Sequence, residues 1–253
     1  MPNKFDDLGN AEIFSTWCFN LKYKEIPNEV IDKLKLIFMD SLGLIFASRN
    51  EDYIKAIKQS FTDSGNCTVP GHLEKLCPSD AIVLNGTAIH GEDFDDTFEG
   101  TPVHVGSVMC SSLLTAAEYY KLKPKEILKG LAVGSELMCR LALVSPMAIH
   151  KQGFHPTAIL GAFGASIGIS KILQNNILQT TSSLGIVGSM ASGIIEYLAE
   201  GTWTKRLHPG WAGASGWKSA HLGKNNFKGP RTVFEGKNGI FNSFADSKII
   251  PDF

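Results

Sequence analysis

Pro156-Thr-Ala-Ile-Leu-Gly-Ala-Phe-Gly-Ala-Ser-Ile-Gly-Ile-Ser-Lys-Ile-Leu173 is rich in glycine and alanine, with small residues at Gly161, Ala162, Gly164, Ala165 and Gly168. Proline suits a first helical turn, where its missing N–H would be unpaired anyway. The stretch therefore reads as a helix, Ala158 to Leu173, whose small side chains let a neighbouring helix approach closely. Its GxxxG spacing does not make it a membrane dimer motif, because Ser170 and Lys171 interrupt the apolar run. A second segment, Ile177 to Leu198, has the same character, with Gly185, Gly188, Ala191 and Gly193.

The rest of the chain keeps the helical period. Pro27-Asn-Glu opens a stripe of Val30, Ile31, Leu34, Ile37, Phe38, Leu42 and Ile45. Shorter helices are predicted over Ala11 to Leu21 and Glu51 to Phe61. Ser79-Asp80 caps another that ends near His90-Gly91. Further helices are predicted over Ser107 to Tyr120 and from Pro124 to about Leu143. Asn66 to Gly71 reads as a turn with a scrap of strand, and Gly229 to Phe241 as turns around a short extended segment. The alternation of strands hardly occurs, so the predicted class is all-α.

The bulk numbers agree. The 253 residues are 43% hydrophobic and 19% charged, which is ordinary for a globular protein and argues against disorder. A net charge of −1, with scattered lysine and arginine, gives no nucleic-acid footprint and no polybasic membrane patch. The five cysteines, Cys18, Cys67, Cys77, Cys110 and Cys139, are odd in number and lack CxxC spacing. They read as free thiols of a reducing cytosol, with Cys67 and Cys77 the one pair a loop could join. The opening heptapeptide has no apolar h-region of a secretory signal. The expected location is cytoplasmic.

Between the helices lie polar stretches that carry chemistry. Gly91 to Ser107 holds Asp93, Asp95 and Asp96, then Thr97, then His104. Acid, hydroxyl and imidazole at close spacing suit proton transfer. Asp95 or Asp96 also suits a helix N-cap. The acids alternate as in some calcium loops, but the glycine and the final glutamate of an EF-hand are not at their places, and no metal is expected. His155 precedes the helix-opening Pro156, where a helix N-terminus favours anions and lowers an imidazole's pKa. Lys205, Arg206 and His208 stand beside Trp203 and Trp211, next to a helix start expected at Pro209. Such a cluster can hold two or three carboxylates.

Together these pieces resemble the MmgE/PrpD family of 2-methylcitrate dehydratases and cis-aconitate decarboxylases. The resemblance is carried by Asp93-Phe-Asp-Asp-Thr97 with His104, by Gly153-Phe-His155-Pro156 and by Lys205-Arg-Leu-His208-Pro-Gly-Trp. Phe234-Glu-Gly with Gly239-Ile-Phe, and the opening helix Ile37-Phe-Met-Asp40-Ser-Leu-Gly43, complete it. The pieces run in order over nearly the whole chain. The resemblance implies a large all-helical domain over residues 1–253, homodimers, and cofactor-free chemistry on di- or tricarboxylates. Members of the family dehydrate 2-methylcitrate, decarboxylate cis-aconitate or epimerise iminodisuccinate. By similarity Asp93, Thr97, His104, His155 and Lys205 line the site, and His208 belongs to the same motif.

The shared chemistry develops carbanion-like charge beside a carboxylate. His104 and His155 are the titratable groups for moving the proton, and Asp93 can orient an imidazole or bind a substrate hydroxyl. Thr97, Lys205 and His208 fall to substrate binding, Lys205 supplying fixed positive charge. Two features depart from the family. Val105-Gly106 follows His104 where proline is usual, which points to a different substrate branch. The sequence closes at Ile249-Ile-Pro-Asp-Phe253, before the smaller α/β lid that contributes further lysine, histidine and tyrosine. The expectation is a lyase of the 2-methylcitrate dehydratase type, with epimerase and decarboxylase as alternatives. From another class, the alternatives are an inactive truncated product or one subunit of a split enzyme whose lid is on a separate chain.

Overall fold

The computed structural model describes residues 8–245; the opening heptapeptide and Ile249 to Phe253, on which two expectations rested, lie outside the described residues. The all-α class is what the structure shows. In chain order the helices are α1 (Asn10–Asn20), α2 (Asn28–Ser48), α3 (Asp52–Ser60), α4 (Pro78–His90), α5 (Val105–Tyr120) and α6 (Pro124–Val144). They continue as α7 (Ala148–Lys151), α8 (Pro156–Ile172), α9 (Ile177–Gly188), α10 (Tyr197–Glu200), α11 (Thr204–Lys224) and α12 (Ile240–Phe244). The scrap of strand expected near Asn66 is β1 (Ser64–Thr68), which pairs antiparallel with β2 (Lys75–Leu76).

The glycine-rich stretch is the centre of the molecule. Every residue of α8 but Lys171 is buried. Gly164 and Gly168 lie against the backbone carbonyls of Gly134 and Gly130 in α6, so the two helices meet nearly backbone to backbone. Lys171, the residue that spoils a membrane reading, donates from Nζ to the carbonyls of Cys18 and Leu21 at the end of α1. A cation there satisfies carbonyls that the last turn of a helix leaves free. No helix among the described residues is long and apolar enough to cross a membrane. All five cysteines are free, with Cys18, Cys67 and Cys110 buried.

A second tight crossing positions the chemistry. Residues Ala81 to His90 of α4 are all buried, and α4 packs along α11. A side chain at Gly210 would run into the backbone of Val83, and one at Gly86 into the backbone of Gly210. This contact explains one correction. Pro209 does not start a helix but stands inside α11, which begins at Thr204. An internal proline costs about 3 kcal/mol or more through the lost hydrogen bond and ring clash. Burial of Ala212, Ala214, Trp217 and Ala220 in the same helix offsets that cost.

Three other boundaries differ from the expectation. The helix from Ile177 does not reach Leu198; α9 stops at Gly188. The following segment turns back onto the loop before α8, where Gly193 accepts from the His155 N–H at 2.9 Å and Ile195 N–H donates to Gly153 at 2.9 Å. Gly193 has φ +136°, which side-chain-bearing residues rarely adopt, and a Cβ there would meet Ala158. Ser79 and Asp80 lie within the first turn of α4, whose N-cap is Cys77, because Pro78 already opens the helix. Residues 231–239 are turns and bends without an extended segment, and α12 follows.

Candidate active site

The site forms where three helix ends meet. The C-terminus of α4 delivers His90, the N-terminus of α8 delivers His155, and the first turns of α11 deliver Lys205, Arg206 and His208. Between α4 and α5 runs the acidic loop. Asp93 takes φ +59°, a left-handed conformation that aspartate tolerates better than most residues, and its N–H donates to the carbonyl of His90 at 3.1 Å. That bend carries the Asp93 carboxylate outward to the Lys205 ammonium, which donates to it.

The two aspartates that follow do different things. Asp96 accepts from the Gly106 N–H at 2.8 Å and so satisfies the start of α5 from outside the helix; the N-cap position expected for Asp95 or Asp96 is held by His104 instead. Burial raises its pKa. Asp95 turns inward, its side chain 1% exposed. It accepts from His90 Nδ1 at 2.9 and 3.0 Å and stands 3.3 Å from His104 Nδ1. Burial works against its charge, but the two imidazoles hold its carboxyl well below the usual carboxylate range.

His104 is the N-cap residue of α5. Its backbone N–H donates to Thr157 Oγ1 at 3.1 Å, which ties it to the first turn of α8. Its Nδ1 also faces Thr97 Oγ1 at 3.5 Å, and its Nε2 lies 4.0 Å from Asp93. Burial disfavours the charged ring, but Asp95 outweighs burial, and the pKa of His104 stands above the ordinary histidine value.

Behind His104 the rings continue. His90 meets His104 edge-on with centroids 4.6 Å apart and stacks on His155 at 5.7 Å. His155 Nδ1 lies 3.1 Å from His208 Nδ1, and Tyr197 closes over both rings. Burial lowers the pKa of His90 and drives that of His155 well below the usual range, with the neighbouring imidazoles adding to the effect on His155. Burial takes His208 down to about 4. The cluster thus holds one imidazole biased toward the cation and three biased toward neutrality.

The network opens to a cleft of about 380 Å³, walled by His90, Glu92, Asp93, Tyr197, Lys205 and Arg206. That volume suits a small metabolite. Of the six residues singled out in the sequence, Asp93 and Lys205 are on this wall. His104 adjoins it through Asp93, Thr97 is the exposed outer neighbour of His104, His155 sits one ring behind His90, and His208 sits behind His155. Arg206 stacks 4.4 Å over the Tyr53 ring and lies 4.0 Å from Glu92. A larger cleft of about 760 Å³ at Trp217 and His221 gathers no comparable set of acids and bases.

Among the titratable residues of the site, His90, Glu92, Asp95 and Tyr197 are members that sequence reading did not assign to it. The signal for Asp95 was present in the Asp-Phe-Asp-Asp run, but nothing local separates an inward acid from a helix cap. His90 reads as the last residue of an apolar helix.

His90, Asp93, Asp95 and His104 offer ligand atoms within 4.8 Å of one another, the donor set of a metal centre. The fit is poor, because both carboxylates and both Nδ1 atoms are already engaged, which leaves the two imidazole Nε2 atoms. Asp95 takes the Nδ1 of His90 and faces that of His104, and the Lys205 ammonium holds Asp93. A second cation beside that ammonium would be repelled.

The family model of the MmgE/PrpD N-terminal domain matches residues 12–251. A cis-aconitate decarboxylase of Homo sapiens is 30% identical over 253 residues, covering 95% of this chain and 52% of the relative. A cis-aconitate decarboxylase-like protein of Aspergillus oryzae is 29% identical over 237 residues, 89% of this chain and 49% of its own. A cis-aconitate decarboxylase of Aspergillus terreus is 25% identical over 235 residues, 89% of this chain and 48% of its own. The chain spans about half the length of the curated relatives it matches.

Proposed function

Because the chain belongs to the MmgE/PrpD family, we propose that it carries the acid–base residues of a cofactor-independent lyase acting on a small di- or tricarboxylate. One observation carries this reading: His104, biased toward its cation, and the Lys205 ammonium flank the same carboxylate, Asp93, at the edge of the cleft. In the free protein Asp93 occupies the place a substrate carboxylate would take. A polycarboxylate displaces it, and Lys205, with Arg206 beside it, binds the incoming anion.

The favoured reaction is decarboxylation of an unsaturated tricarboxylate, which the names of the relatives support. As the C–C bond to the departing carboxylate breaks, its electron pair passes into the conjugated carbon framework and onto a retained carboxylate. Lys205 stabilises that developing charge. His104 Nε2 then delivers its proton to carbon, and the carboxyl group leaves as CO₂. This sequence asks for one cation and one acid. Dehydration of the 2-methylcitrate type asks in addition for a base that removes a proton next to a carboxylate. The neutrality of His155, which stands one ring beyond His90 from the His104 imidazolium, favours that second reading.

The protein should be incubated with cis-aconitate, 2-methylcitrate, citrate and iminodisuccinate in D₂O and followed by NMR. Decarboxylation releases CO₂ and places one deuterium on carbon; dehydration releases water; epimerisation exchanges a proton only. The expected outcome is CO₂ release from cis-aconitate, reduced on the order of 10²–10⁴-fold in His104→Gln. Turnover unchanged in both His104→Gln and Lys205→Met would overturn the assignment.

A further inference from the structure

We infer that Asp95 is the positioning residue that fixes the working tautomer of His104, and that His90 is the clamp holding the Asp95 carboxylate for that purpose. The inference rests on the acid role proposed for His104 and deepens it. Asp95 is almost fully buried, its side chain 1% exposed, so it cannot meet a substrate. What it meets instead is two imidazole Nδ1 atoms, that of His90 at 2.9 Å and that of His104 at 3.3 Å.

An ionised carboxylate only accepts hydrogen bonds. Both Nδ1 atoms therefore carry their protons. With Nδ1 of His104 so committed, the proton that comes and goes is on Nε2, and Nε2 is the atom that faces Asp93 on the wall of the cleft. Without Asp95, Thr97 Oγ1 at 3.5 Å would be left as the nearest polar group to Nδ1. A hydroxyl can donate as well as accept, so it would leave the tautomer unspecified.

His90 is shaped for one task. It is 1% exposed, its Nε2 has no hydrogen-bond partner among the described residues, and its Nδ1 spans both Asp95 oxygens. An imidazole used only through Nδ1, and braced between the rings of His104 and His155, serves to orient the carboxylate. The groups facing His104 from the packed elements are Asp93, Asp95 and Asp96 on the loop, His90 of α4, His155 of α8 and Lys205 of α11.

The test uses ¹⁵N-histidine NMR on the substrate-free protein. In the wild type, neutral His104 should be the Nδ1–H tautomer. In Asp95→Asn its titration midpoint should fall below the wild-type value and the tautomer preference should be lost. Where turnover is measurable, Asp95→Asn should lower kcat about ten- to a hundredfold with KM little changed. The pH at which activity falls off should move down with the midpoint. An Nε2–H tautomer of His104 in the wild type would overturn the inference, and that measurement needs no variant to fold. An unshifted His104 midpoint in Asp95→Asn would overturn it as well. If no polycarboxylate is turned over by the wild type, the lyase reading fails on its own, while tautomer and midpoint still decide the coupling of Asp95 to His104.

Discussion

His155 and His208, on different helices and 53 positions apart, face each other Nδ1 to Nδ1 at 3.1 Å, so one ring must donate and the other accept. The accepting ring cannot gain a proton on Nδ1 without breaking that contact. Both titrate at lower pH in the fold than in the unfolded chain, where the ordinary value is 6.5; for His208 the folded value is about 4. The unfolded chain therefore binds more protons in that window, and stability falls as pH drops from about 6.5 toward 4. His104 acts in the opposite sense: its raised pKa gives stability that is complete below 6.5 and lost as pH rises through the folded value. Three buried imidazoles outnumber it. Urea unfolding should show lower stability at pH 5 than at pH 7, and His208→Gln should shrink the difference. Equal stability at the two pH values would show that these rings do not titrate as their burial requires.

Lys205→Met should weaken binding of citrate by about ten- to a hundredfold, the equivalent of roughly 1.5–3 kcal/mol for a hydrogen bond to a charged group. Calorimetry reads this directly. The same change should raise the Asp93 pKa, which Lys205 now lowers against the effect of burial. Binding that is insensitive to residue 205 would move the anion site elsewhere.

Gly210→Ala should destabilise the fold by about 1–3 kcal/mol, the usual cost of forcing extra volume into a packed interior. The added methyl has no room against the Val83 backbone. Because α4 and α11 carry His90 and Lys205, separating them should also weaken citrate binding. Denaturant unfolding and calorimetry on the one variant test both effects.

Gly193→Ala should cost about 1–3 kcal/mol in backbone strain and disturb the histidines. Its carbonyl accepts the His155 N–H, and its Cβ would stand 3.3 Å from the His208 ring. Altered ¹⁵N shifts at His155 and His208, with His104 nearly unmoved, are the expected signature.

Much of the fold was legible because helical signals are local. Proline at 124 and 156 marks helix starts that the structure keeps. The small residues of α8 announced close neighbours, and Gly130 and Gly134 in α6 are among those neighbours. The reading went wrong where a distant contact outweighs a local preference. Pro209 is tolerated inside α11 because α4 packs against that helix. The helix from Ile177 ends early because Gly193 and Ile195 pair with the loop at Gly153 and His155.

The sequence by itself determined the class of fold and family, and the chemical types gathered in the motifs: carboxylates, imidazoles and a lysine. Those follow from periodicity and from residue identity, which need no third dimension. Only the tertiary structure decided what each group is. Asp93, Asp95 and Asp96 are chemically the same acid within four positions. One reaches outward to Lys205, one lies buried between His90 and His104, and one satisfies the start of α5. The imidazoles likewise divide into one favouring the cation and three favouring neutrality. The difference lies in burial and in the charge of the nearest neighbour, and both are set by side chains brought together from α4, α8 and α11.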